Sequence, residues 1–320
     1  MKIVRAEHLG MCFGVRDAIA LAQSTARERP LTILGELVHN ESVLADLRRR
    51  GIQLETDPAQ VQTRTAMITA HGASESAIAL ARSNGLEVFE GTCPLVTFAH
   101  RAVARLVAEG YHPVIIGKRG HVEVRGLTED LSAFDIVESE SDIEQLAPRP
   151  RFGVASQTTQ PLARVQHFAE LLRHRFPDSE VRVVDTVCQP TKQRQRAAEE
   201  LAAQCDVVIV VGGANSNNTR ELVQTCAKSC DRVYHVQGPS GLQLEWFERA
   251  EIVGLTAGTS TPDYVIDAVE ARLHNFAATR PAKNDQCLDD NDQCPGTDDQ
   301  LTSNQQSSPP RPVTLETHLS

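Results

Sequence analysis

Three cysteines in this chain sit in one recurring frame. Cys12 is followed by Gly35 after 23 residues, Cys93 by Gly117 after 24, and Cys188 by Gly212 after 24. A polar side chain then recurs: His39 lies 27 residues beyond its cysteine, and His121 and Ser216 lie 28 beyond theirs. A later strand end supplies His71, Thr158 and Ser260 in turn. Each unit reads cysteine, helix, strand, polar group, more helix, strand, polar group. Strand alternating with helix predicts α/β domains with parallel sheets and right-handed crossovers. A lone cysteine is often only a small buried hydrophobe; three in one frame are harder to dismiss.

The elements follow from local signals. Apolar residues at 15, 18, 19, 22 and 26 predict a helix over Val15–Arg29. Further helices are expected over Glu41–Arg50, Ser74–Asn84, Leu95–Glu109, Pro161–Arg175, Lys192–Gln204 and Pro262–Phe276. Strands are expected over Lys2–Ala6, Leu31–Leu34, Ala66–Ala70, Glu87–Phe89, Pro113–Ile116, Phe152–Ala155, Val181–Val184, Val207–Val211 and Glu251–Thr256. The third unit lacks a closing strand that leads to a cysteine, and Lys2–Ala6, which runs into Cys12, can supply it. The expected domains are 13–93, 94–187 and 188–276, the last completed by 1–12. Residues 277–320 are rich in Asp, Asn, Gln and Ser and read as a disordered tail.

At 320 residues the chain needs more than one core. Its net charge of −10 argues against nucleic acid as a main partner. No signal-peptide pattern or membrane-length apolar run is present, so a cytoplasmic protein with no membrane partner is expected. Its eight cysteines should then be mostly reduced, which favours metal or redox chemistry over a disulfide framework. Cys226 and Cys230 read as buried helix face and Cys205 as core. Cys287 and Cys294 fall in the tail.

Ligands of open α/β sheets bind beyond the carboxyl ends of the strands. Packed about a pseudo-threefold axis, the units would bring three thiolates to one point and six polar positions around one cavity. Widely spaced cysteines do not suit a structural zinc site. A cubane iron–sulfur cluster normally takes four cysteines, so three would leave one iron open as a Lewis acid. His39, His71, His121, Ser216, Asn218 and Ser260 suit an anion, as hydrogen-bond donors and, for the histidines, as cations when protonated. Glu123, two residues from His121, could be an acid of raised pKa or a first-turn helix residue. Thr158 could relay a proton or cap the helix that follows.

The motifs Thr92-Cys93-Pro94-Leu95-Val96, Ala70-His71-Gly72, Gly120-His121-Val122-Glu123-Val124, Gln157-Thr158-Thr159 and Asp185-Thr186-Val187-Cys188 occur in family order and spacing. On these, the chain resembles the 4-hydroxy-3-methylbut-2-enyl diphosphate reductases, the IspH/LytB family, over roughly residues 1–276. The resemblance implies three similar α/β domains in a trefoil around a central 4Fe–4S cluster held by Cys12, Cys93 and Cys188, with one open iron for the substrate hydroxyl. It implies reductive dehydroxylation of an allylic diphosphate to isopentenyl and dimethylallyl diphosphate, the last step of the methylerythritol phosphate route. Reduced ferredoxin or flavodoxin would supply electrons singly. His39, His71, His121, Ser216, Asn218 and Ser260 would hold the diphosphate, with Asn217 beside them. Glu123 would be the proton source and Thr158 would touch the substrate hydroxyl.

The sequence departs from the family pattern at several positions. Asn217 replaces the second serine of Ser-Ser-Asn. Val122 and Arg125 replace a proline and an acid around Glu123. Met11 and Phe13 flank Cys12, and Glu90-Gly91 replaces Asp-Ala before Thr92. A diverged paralogue, sensing through the cluster or using another substrate, would differ at such positions. A zinc-stabilised binding protein would instead contain zinc and no iron.

Overall fold

The computed structural model describes residues 1–279. Its first unit contains β2 (Leu31–Leu34), β3 (Gln53–Glu55), β4 (Thr65–Ile68) and β5 (Glu87–Glu90), with α1 (Phe13–Glu28), α2 (Glu41–Arg49) and α3 (Glu75–Ser83). The second contains β6 (His112–Ile116), β7 (Asp135–Val137), β8 (Arg151–Ser156) and β9 (Glu180–Val183), with α4 (Pro94–Ala108), α5 (Val122–Thr128), α6 (Glu140–Glu144) and α7 (Leu162–Arg175). The third contains β10 (Val207–Val211), β11 (Val233–Val236) and β12 (Ile252–Ala257), with α8 (Gln189–Ala202), α9 (Asn217–Cys226) and α10 (Asp263–Thr279). Strand β1 (Lys2–Arg5) completes that third sheet.

All three sheets are four-stranded and parallel. Their orders are β3-β2-β4-β5, β7-β6-β8-β9 and β11-β10-β12-β1, one order repeated three times. β1 pairs with β12 from Lys2 opposite Ile252 to Arg5 opposite Leu255. Backbone bonds repeat with the strands. Gly35, Gly117 and Gly212 donate to the carbonyls of Glu55, Val137 and Val236 at 2.7, 3.1 and 3.0 Å.

A central strand of a parallel sheet is covered on both faces, and the sequence shows it as an unbroken apolar run. In β10, Val207, Ile209 and Val211 pack with Val269, Leu273 and Phe276 of α10. Val208 and Val210 pack with Ala198, Leu201, Leu222 and Cys226 of α8 and α9. Each such side chain contributes roughly 1.5–3 kcal/mol relative to exposure. Edge strand β9 instead alternates exposed and half-buried residues.

The structure moves several expected boundaries. α8 begins at Gln189 rather than Lys192, because Pro190 presets the first helical φ directly after Cys188. Pro161 caps α7 from outside, with extended ψ of 126°, rather than starting it. β4 ends at Ile68, which leaves the Ala70 carbonyl free of the ladder. α10 runs through Ala277 and Ala278 to Thr279, so these three residues are helix rather than tail. The remainder of the expected tail, with Cys287 and Cys294, lies outside the described residues. Cys230 lies past the end of α9 rather than on it, and Cys205 is half-buried beside the core rather than within it.

Candidate active site

Each recurring cysteine is the residue just before a helix. Cys12, Cys93 and Cys188 occupy the N-cap positions of α1, α4 and α8, where the helix dipole favours a thiolate. None spends its side chain on capping. Their backbone N–H groups donate to the carbonyls of Thr259, Ala70 and Thr158 at 3.1, 3.1 and 2.9 Å. In every unit the cysteine is thus tied to the strand end that carries the last polar residue of the frame.

The thiols sense one another. Burial pushes Cys188 up to about 11, opposed by hydrogen bonds from Thr191 and reinforced by the charges of Glu123 and Cys12. Cys93 is also raised, by burial first and then by Cys12 and Glu123, against N–H groups of Leu95 and Val96 that point at its sulfur. Gly14 lets the start of α1 close on Cys93: a Cβ there would collide with the Cys93 sulfur. Three soft sulfur donors, two of them with N–H groups aimed at the sulfur, fit an iron–sulfur centre. Binding would displace the thiol protons that burial otherwise retains.

The imidazoles of His39, His71 and His121 form a second cluster. Their ring centroids stand 4.7, 5.2 and 5.6 Å apart, with His39 stacked on His71. Burial pushes His71 well below the usual imidazole range, and the neighbouring His39 and His121 add to the fall. His121 is pushed down to about 3, first by burial and then by His39, Lys118, Arg220 and Arg125. Both shifts favour neutral rings at His71 and His121 before a ligand arrives, so of the two expected roles they meet it first as hydrogen-bond donors.

Hydrogen bonds set the tautomers. His121 Nδ1 accepts the backbone N–H of Glu123 at 3.1 Å, so Nε2 carries the ring proton. That nitrogen donates to an anion and offers no lone pair to a metal. The three ligand atoms lie within 4.8 Å of one another, a spacing compatible with a metal, but this tautomer favours an anion. His39 Nδ1 bonds Glu36 Oε2 at 2.9 Å, which leaves Nε2 facing inward. A buried donor without an acceptor is costly, and such atoms gather here. His39 Nε2, His71 Nδ1, Asn217 Nδ2, Asn218 Nδ2 and Ser260 Oγ are all buried with no partner. Ser216 Oγ caps α9 by accepting the Thr219 N–H at 3.3 Å, so its own proton remains available.

The third unit reaches the histidines through Gly213, where a Cβ would collide with the His39 carbonyl. Lys118, Arg125 and Arg220 bring positive charge to this corner of an acidic protein. Asn217, the departure from the serine pattern, is 8% exposed and aims an unpaired amide N–H inward like its neighbours.

Glu123 links the two clusters: its backbone N–H bonds His121, and its charge acts on both Cys93 and Cys188. It is 2% exposed, and its Oε1 accepts the Thr158 N–H at 2.6 Å. Burial pushes its carboxyl up to about 7 against hydrogen bonds from the Thr158 backbone and hydroxyl. Sequence reasoning missed Glu36, Lys118 and Arg220, which carry no motif of their own and matter only through tertiary placement.

The fold is an α/β protein of three like-ordered parallel sheets, with a cysteine at one helix start in each unit and three imidazoles clustered together. A family described as LytB protein is matched over residues 3–274. The chain belongs to the LytB protein family. It is 35% identical over 281 residues to the 4-hydroxy-3-methylbut-2-enyl diphosphate reductase of Aquifex aeolicus, an alignment covering 86% of this chain and 96% of that protein. Its fold is similar to that of the E-1-hydroxy-2-methyl-but-2-enyl-4-diphosphate reductase from Plasmodium falciparum, with TM-score 0.80, 25% identity, and coverage of 88% and 89%. It is also similar to a solved (E)-4-hydroxy-3-methyl-but-2-enyl diphosphate reductase, described as the terminal enzyme of the non-mevalonate pathway. There the TM-score is 0.64, the identity 33% and the coverage 86% and 99%. Among the described residues no helix is long and apolar enough to cross a membrane.

Proposed function

We propose that this chain reduces (E)-4-hydroxy-3-methylbut-2-enyl diphosphate to isopentenyl and dimethylallyl diphosphate. The observation that carries the reading is a cluster of buried polar atoms without partners, close to a carboxyl whose proton burial helps to retain and to the helix-start thiols. A 4Fe–4S cluster would be held by Cys12, Cys93 and Cys188, leaving one iron without a protein ligand. When bound, that cluster supplies single electrons and a Lewis-acidic site.

The residues of the chain supply the rest. His71, Asn217, Asn218 and Ser260 meet the diphosphate with polar atoms that are otherwise without partners, and His121 Nε2 and the Ser216 hydroxyl donate beside them. Glu36 bonds His39 Nδ1, which leaves His39 Nε2 turned toward the anion. Glu123 Oε1 is occupied by the Thr158 N–H, which places the acidic proton on Oε2. The Thr158 hydroxyl also bonds this carboxyl and is placed to pass its proton to the substrate hydroxyl. Overall one C–O bond breaks and one C–H bond forms. Two electrons and two protons are consumed, and water leaves. Reduced ferredoxin or flavodoxin is the fitting donor class, because each delivers electrons singly.

The test is anaerobic purification with iron and sulfide analysis, followed by dithionite-driven turnover of the allylic diphosphate on the same sample. Four irons and four sulfides with turnover are expected. A cluster without turnover would point to a sensing paralogue, and zinc without iron would overturn the assignment of the three thiols.

A further inference from the structure

Arg194 is a buried cation that the reaction as described does not use. It sits on α8 and is 8% exposed. Its Nε donates to the carbonyl of Gly10 at 3.0 Å, two residues before Cys12. Its Nη1 donates to the carbonyl of Pro190 at 3.0 Å, two residues after Cys188. Among the described residues these are its hydrogen bonds, and none goes to a carboxylate. Arg16 makes a useful contrast. It also reaches the Cys12 loop, through the Met11 carbonyl at 3.2 Å, but its side chain is half-exposed and is paired with Asp263.

An unpaired guanidinium inside a protein is costly, because neutral carbonyls do not balance its charge. The anionic groups that act on Arg194 are Cys12 and Cys188, while Arg16 opposes it. Metal-bound cysteine sulfur is thiolate, so a centre held by these two residues would supply the negative charge that Arg194 otherwise lacks. One bond reaches the loop that carries Cys12, and the other stays within the first turn of α8, directly after Cys188.

We infer that Arg194 is a positioning residue that serves as the counter-cation of the Cys12 and Cys188 thiolates and raises the reduction potential of the centre they hold. The inference rests on the cluster assignment above. Reduction adds one negative charge to an already anionic centre, and a fixed neighbouring cation stabilises that added charge. Unlike Glu123, Arg194 keeps its proton throughout, so its effect is on electron affinity rather than on proton supply.

The experiment is an EPR-monitored redox titration of the full-length, cluster-loaded protein and of its Arg194→Gln, Arg194→Met and Arg194→Lys variants. Gln and Met remove the charge with different polarity; Lys keeps it and loses the planar fork. The neutral variants should reduce at least tenfold less favourably, a fall of about 59 mV for one electron. The Lys variant should stay within about threefold of wild type, because charge rather than fork geometry sets the potential. If both neutral variants fail to hold a cluster while Lys holds one, the need for the charge stands on assembly instead. A neutral variant within twofold of wild type, or a Lys variant that behaves like Gln, would overturn the inference. Absence of a cluster from wild type would remove the reading on which it rests, before any variant is compared.

Discussion

The described residues contain two trios of cysteines, and their surroundings differ in almost every respect. Cys12, Cys93 and Cys188 stand at helix starts, beyond strand ends, with N–H groups or a guanidinium facing them. Cys205, Cys226 and Cys230 lie in and beside the apolar layer between β10 and helices α8 and α9. Cys226 and Cys230 spend their thiols on backbone carbonyls, those of Ala198 and of Cys205 and Arg232. Burial pushes Cys226 up to about 12, with only like charges around it. The same side chain is a ligand where positive electrostatics meet it and filler where they do not.

The largest expected effect breaks the comparison if it fails. Cys93→Ala should lose cluster iron and sulfide and reduce turnover to background. Cys226→Ala should keep both at wild-type level, as metal analysis would show; equal loss in the two variants would erase the distinction between the trios.

Next comes Glu123, as buried as the filler thiols yet placed among the ligand ones. Glu123→Gln should keep the cluster and lose about 10²–10⁴ in turnover, the usual range for a general acid. In wild type, turnover should fall as pH rises through about 7, where the acid ionises; a rate profile flat to pH 9 would exclude it. The same shift acts on stability. Between 4.5 and about 7 the unfolded chain releases this proton while the folded one keeps it, so stability falls with rising pH. Glu123→Gln escapes that loss and should be more stable than wild type at pH 8 by on the order of 3 kcal/mol. Denaturant titration of both proteins at pH 5 and pH 8 checks the sign.

A smaller effect sharpens the contrast from the filler side. Cys226→Ala should cost about 1–3 kcal/mol of stability, as a small cavity in packed core does. The smallest belongs to Asn217→Ser. Serine restores one donor where an amide stood, so KM for the allylic diphosphate should change by less than about fivefold, about 1 kcal/mol.

The helix-start positions of Cys12, Cys93 and Cys188 were legible in the sequence because their cause is local. A strand end, a turn and a helix start leave a fixed spacing, and Pro94 and Pro190 mark the helix starts. The central strands were legible as apolar runs. Edge strands β3, β7 and β11 were not, since three or four half-exposed residues carry no usable period. Neutral His71 and His121 were hidden for another reason. Their protonation depends on rings brought together from residues 39, 71 and 121, a property of packing rather than of neighbours in sequence. Arg194 was hidden likewise, since its importance lies in what is absent around it.

Strand β1 is synthesised before every other strand described, yet the strand it pairs with begins at Ile252. Cys12 depends on the carbonyl of Thr259 for its place. The first two sheets draw all their strands from continuous sequence and can form as the ribosome delivers them. The first cysteine must wait for nearly all of the described chain. A polypeptide that stopped before Thr259 would leave Cys12 without its backbone acceptor, while Ala70 and Thr158, the acceptors of Cys93 and Cys188, would already be in place.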